Sequence, residues 1–111
     1  MSVKATAQDR TRLEQEVARL VEQLKEMGAT KIILFGSLAR GEVSLFSDID
    51  LLVLFDTDRS SWELTREVYQ RIDAREGVDI LAYSRHAMAM LQARPFFRHI
   101  LSYGKVLYEG S

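Results

Sequence analysis

Residues 48–55 read Asp-Ile-Asp-Leu-Leu-Val-Leu-Phe: two carboxylates one residue apart, then five apolar residues with no polar interruption. A run like "IDLLVLF" at 49–55 has too many consecutive apolar positions for a sheet wet on one face, so it predicts a strand buried on both. Side chains alternate across a strand, so Asp48 and Asp50 lie on the same side at its beginning. Two carboxylates at the mouth of a buried strand are costly unless something cationic meets them. The chain must therefore fold around that strand and also answer for its charged end.

The remaining segments supply a cover for such a sheet. Leu13, Val17, Leu20, Val21 and Leu24 recur at spacings of three and four, the stripe of an amphipathic helix, and Gly28 follows as its stop. Thr6, Asp9 and Thr11 are alternative caps for its start. "KIILF" at 31–35 is a short buried strand. Ser60 and Glu63 have capping-box spacing and open a helix expected through about Arg75, carrying Trp62, Val68, Tyr69 and Ile72. Gly77 ends it, and "VDILAY" at 78–83 is a third strand. "RHAMAMLQAR" reads as helix, with Met88 and Met90 as core filler. Pro95 starts another, with Phe96, Phe97, Ile100 and Leu101 inward. "KVLYE" after Gly104 is an edge strand. The expectation is one α/β domain over residues 1–111, a small mixed β-sheet covered by helices.

Composition narrows the function classes. The 47% hydrophobic fraction belongs to a globular chain. With 15 basic and 16 acidic residues the net charge is −1, which argues against a broad basic face for nucleic acid. The absence of cysteine excludes disulfides and thiolate metal sites. Neither a signal-type apolar segment nor a membrane-spanning run is evident, so a cytoplasmic protein is expected.

Asp79 stands one residue after the start of the third strand, at the same relative place as Asp50 in the second. If those strands are neighbours, three carboxylates converge at one end of the sheet. Two unit charges about 4 Å apart repel by roughly 4 kcal/mol at an effective dielectric near 20. That is heavy for a domain whose total stability is about 5–15 kcal/mol. A hard divalent cation such as Mg²⁺ removes the repulsion, and two of them, roughly 3.5–4 Å apart, make a phosphoryl or nucleotidyl transfer site. The complementary half is Gly36-Ser37, where the first strand ends. Gly36 lets a phosphate approach the backbone, Ser37 offers a hydroxyl, and "SLAR" is one helical turn whose free N–H groups would face the ligand. Arg40 adds a charged fork suited to phosphate oxygens, with a solvated surface role as the alternative.

Gly36-Ser37, ten intervening residues, then Asp48-Ile49-Asp50 resembles the signature of the DNA polymerase β-type nucleotidyltransferase superfamily. "GSLARGEVSLFSDIDLLV" is similar in particular to its minimal nucleotidyltransferase (MNT) family, and the third acid in "VDIL" arrives in a later strand, as in that family. The resemblance implies a mixed sheet, Mg²⁺-dependent use of a nucleoside triphosphate, and transfer of the nucleotide to a hydroxyl with release of pyrophosphate. By the same resemblance Asp48 and Asp50 would hold both metals. Asp79 would complete the metal site and help deprotonate the attacking hydroxyl, and Gly36, Ser37 and Arg40 would hold the triphosphate.

Larger members of the superfamily carry a second domain for the acceptor, and this length leaves no room for one. Either another protein presents the acceptor or a dimer partner builds the missing wall. Free-standing MNT proteins are partners of HEPN-domain toxins and act as antitoxins by adding AMP to a toxin tyrosine, so the resemblance implies ATP as donor and a HEPN-type toxin as partner. Two other readings are an antitoxin that works by masking its partner and an enzyme modifying RNA ends or a small molecule. Asp56 and Asp58 lie too far along the strand to join the metals. His86 and His99 read as surface or half-buried residues. Leu45 and Phe46 read as packing under the loop, with a partner surface as the alternative. A turn started by Ser47 and Asp48 is the plainer reading of that pair. No residue is assigned to the base, and Tyr83 is only near enough in the chain to be suspected.

Overall fold

The computed structural model describes residues 6–42 and 48–110. Leu45, Phe46 and Ser47 lie outside them. Helix α1 (Ala7–Glu26) opens on Thr6, whose hydroxyl accepts from the Asp9 N–H while the Asp9 carboxylate accepts from the Thr6 N–H. This reciprocal box settles which of the three candidates caps the helix. Gly28, at φ +100°, turns the chain into β1 (Ala29–Phe35). One turn of helix, α2 (Gly36–Ala39), follows at once. Then come β2 (Ile49–Phe55), α3 (Ser61–Arg71), β3 (Val78–Ser84), a short 3₁₀ turn, α4 (Met88–Leu91), α5 (Pro95–Tyr103) and β4 (Lys105–Glu109).

The four strands form a mixed sheet in the order β3-β2-β1-β4. Both β2 and β4 run antiparallel to β1, and β3 runs parallel to β2 after the α3 crossover. β2 is thus interior, with its apolar residues all buried, as a continuous apolar run requires. Alternation sorts the core into two layers. Ile32, Leu34, Ile49, Leu51, Val53, Ile80 and Ala82 pack toward α1 and α3. Ile33, Phe35 and Leu52 pack toward Leu91, Phe97 and Ile100 of α4 and α5. Asp50 shares parity with Leu52, and Asp79 with Leu81, so both acids stand on the α5 side of the sheet.

Several expected details change. Helix α3 stops at Arg71, with Ile72 already extended. The 72–76 segment goes to α1 for its partners instead of continuing the helix, as described below. Trp62 is 69% exposed under the Arg66 guanidinium, and Met90 and Phe96 are also on the surface. Helix α4 has only four residues, too few for a periodic face to bury both methionines, and Met88 is the one that packs inward. None of the described helices is long and apolar enough to cross a membrane.

Candidate active site

The ends of three strands meet where the sequence places its charges. Phe35 pairs with Asp50, and Asp50 pairs in register with Asp79. Phe35, Asp50 and Asp79 therefore form one row across β1, β2 and β3, and Gly36-Ser37 open α2 directly after that row. The Asp50 carboxylate lies directly over Gly36, which has φ +74°; a Cβ there would overlap it, so Gly36 is glycine for both space and conformation. Burial is the main force pushing the Asp50 pKa above the usual aspartate range. The negative charges of Asp79 and then Asp48 add to it, and Arg40 opposes it.

Asp48 precedes β2 and is exposed. Its carboxylate lies over Gly77, where again a Cβ would collide with it. The Ile49 N–H donates to the Gly77 carbonyl at 2.9 Å, which seals the head of β2 to the residue before β3. Asp79 is exposed beside Asp50. Among the described residues no three acidic or histidine side chains are gathered tightly enough to clasp one ion. The set nonetheless consists of hard oxygen donors on adjacent strands, two of them resting on Cβ-free glycines, with mutual repulsion registered at Asp50. Such a donor set fits an oxygen-loving divalent cation.

Turn α2 carries the rest. Arg40 closes it with its N–H on the Gly36 carbonyl, and Gly41, at φ +78°, leads out. The Arg40 guanidinium is exposed, 3.7 Å from the Glu42 carboxylate and 5.3 Å from the centre of the Tyr103 ring. The N–H of Gly36 does not face outward: it donates to the Tyr103 hydroxyl at 3.1 Å.

Three contributors escaped the sequence. Glu16 is 5% exposed and accepts from the N–H groups of Arg75 (2.5 Å) and Glu76 (3.2 Å) and from the Arg19 guanidinium. Arg19 and Gln23 hold the Asp73 carbonyl, and Gln23 accepts from the Asp73 N–H. These bonds fix the 72–77 segment on which Asp48 rests. The signal was an acidic residue three positions after Leu13, on the apolar stripe. Gly77, read as a helix stop, seats a carboxylate. Tyr103 gave no signal beyond preceding Gly104.

The other singled-out residues stand elsewhere. Asp56 lines a cavity of about 250 Å³ at the opposite end of the sheet, with Met27, Phe55 and Val68. Asp58 lies 3.4 Å from His86, both on the surface. His99 is exposed against the Tyr103 ring. Tyr83 is at the far end of β3, edge-on to Phe97, away from any nucleotide at the acids.

Comparison with known proteins places this geometry. Residues 15–111 match the family described as Polymerase beta, Nucleotidyltransferase. Over 80 residues the chain is 36% identical to a Methanocaldococcus jannaschii protein provisionally named a protein adenylyltransferase, covering 70% of this chain and 77% of that one. The crystal structure of a provisionally assigned nucleotidyltransferase from Sulfolobus solfataricus has a TM-score of 0.68 at 19% identity, over 92% of this chain and 85% of that one. A mutant MntA-HpeT toxin-antitoxin structure matches with a TM-score of 0.51 at 23% identity, over 85% of this chain and 72% of that one. At those identities the two structures speak for the fold.

Proposed function

The chain belongs to the polymerase beta nucleotidyltransferase family, and we propose that it moves AMP from ATP to a hydroxyl, the tyrosine of a partner HEPN-type toxin, as the antitoxin of a pair. The observation that supports this reading is that Asp50 and Asp79 stand side by side on β2 and β3, with the Asp50 carboxylate against Gly36 at the head of α2. The relative named for protein adenylylation supports the donor and acceptor class. The fold shared with MntA agrees with the partner.

Asp48, Asp50 and Asp79 would hold Mg²⁺, which supplies charge neutralisation at the α-phosphate and lowers the pKa of the attacking hydroxyl. Asp79 would take the proton of the incoming hydroxyl, a role its exposure beside Asp50 supports. The hydroxyl oxygen then bonds to the α-phosphorus, and the bond from that phosphorus to the β-phosphate bridging oxygen breaks. Pyrophosphate leaves on the Gly36-Ser37 side, where the Arg40 guanidinium meets its charge. Asp50, pushed toward its neutral form by burial and by its neighbours, would be relieved by a bound cation.

The test uses ATP labelled at the α-phosphate, added with Mg²⁺ and purified protein to a lysate of the source cells. A labelled protein band that is absent with Asp50→Asn is the expected result, and its identity names the partner. Label in nucleic acid would move the acceptor to RNA ends. No label anywhere, with ATP still bound, would replace transfer by masking.

A further inference from the structure

We propose that Tyr103 is a phosphate-binding residue of this site: its hydroxyl takes the Gly36 N–H and presents its own proton to the terminal phosphates of the nucleotide. The inference rests on the nucleotidyl-transfer reading and adds to it a residue from the far end of the chain.

The geometry begins at Gly104. A Cβ there would stand 2.7 Å from Ile33 Cγ2 and 3.2 Å from the Leu34 carbonyl, so only glycine lets the turn from α5 to β4 lie against the end of β1. That close approach brings the preceding residue, Tyr103, to the start of α2. The ring is half-buried and packs against both core layers, so its position is fixed from two sides. On its faces and edges it meets the Arg40 guanidinium, 5.3 Å from the ring centre, and the His99 ring at 4.9 Å.

A tyrosine hydroxyl can accept and donate at once. Here it accepts from Gly36 at 3.1 Å, and its proton has no acceptor among the described residues. The hydroxyl thus extends the half-buried N–H outward as an O–H donor, beside the guanidinium best suited to phosphate oxygens. A cation over the ring face also draws electron density from it and favours an anionic acceptor at the hydroxyl. Asp50 and Asp79 lie on the same side of the sheet as α5, so a nucleotide with its α-phosphate at the acids can run its tail toward Tyr103.

The experiment measures binding by calorimetry, with inorganic tripolyphosphate, a non-hydrolysable ATP analogue and AMP as probes. Tyr103→Phe keeps the ring under Arg40 and removes only the hydroxyl. It should weaken tripolyphosphate and the ATP analogue about tenfold and leave AMP within about twofold. Tyr108→Phe, the same deletion on β4, should match wild type for all three. Equal binding of tripolyphosphate by Tyr103→Phe and wild type overturns the proposal, and so does an equal loss for AMP and the triphosphates. Wild-type protein that binds no tripolyphosphate overturns it as well. Binding that depends on Tyr103, in a protein that transfers no label, upholds the proposal and defeats the transfer reading instead.

Discussion

Two glycines seat two carboxylates, and they differ in what a side chain would do. At Gly36 the backbone is left-handed, and a Cβ would run into the Asp50 carboxylate, with Asp50 Cγ at 2.9 Å and Cβ at 3.2 Å. Neither the main chain nor the half-buried acid can yield. Gly36→Ala is expected to cost about 1–3 kcal/mol of stability and to abolish transfer. At Gly77 the backbone is unstrained and the overlap is with the tip of exposed Asp48, which can swing away. Gly77→Ala should melt within a few degrees of wild type yet bind Mn²⁺ at least tenfold more weakly, since Asp48 is displaced. Thermal melts and metal titrations on both variants check the contrast. Equal metal affinity in Gly77→Ala would mean that its seat does not place Asp48. The position of the aspartates at the heads of β2 and β3 was legible, because each directly precedes or opens an apolar run. The seats were not: a glycine after a helix reads as a stop whether or not a carboxylate rests on it.

Among the elements, the 72–77 segment shows where reading from sequence reaches its limit. Local propensity carries α3 onward to Arg75, but Glu16 on α1 takes the N–H groups of Arg75 and Glu76. The partners are 59 and 60 positions away, and no periodicity reports such a pairing. Tyr103, 67 positions from Gly36, was hidden for the same reason. The elements that were legible each carry a local signal: apolar spacing in α1, β1, β2 and β3, Pro95 at the start of α5, and Gly104 before β4. Burial works against ionisation of Glu16, but its bonds from Arg19, Arg75 and Glu76 prevail and hold its pKa below the usual 4.5. Its charged form is therefore favoured by folding. That contribution is fully present above pH 4.5 and is lost as pH falls through the lowered value. Glu16→Ala should cost about 1.5–3 kcal/mol at neutral pH, a fall in Tm of roughly 10 °C. It should also flatten the acid limb of the Tm–pH curve. A variant with an unchanged acid limb would remove Glu16 as the clamp of this segment.

At the scale of the whole molecule, the sheet carries opposite demands at its two surfaces and its one charged end. Leu52 and Ile100 are 1% exposed, and burial of such side chains contributes about 1.5–3 kcal/mol each. Asp50 draws on that stability while no cation is bound. Asp50 shows the sign: its pKa is raised above 3.8, so the metal-free fold binds its proton more tightly than the unfolded chain does. The penalty is present above the raised folded pKa and disappears as pH falls from there toward 3.8, the reverse of Glu16. Asp50→Asn should therefore raise the Tm of metal-free protein at pH 7 and leave little change at pH 4. If these acids hold Mg²⁺ in the folded state alone, Mg²⁺ should raise the Tm of wild type with the logarithm of its concentration above Kd, and hardly move Asp50→Asn. Melting both proteins at two pH values, with and without Mg²⁺, separates the terms. A metal-free Asp50→Asn protein less stable than wild type at pH 7 would make Asp50 a structural residue. A higher Tm without Mg²⁺, together with loss of the Mg²⁺ response, is the pattern of a carboxylate kept in the fold for a cation.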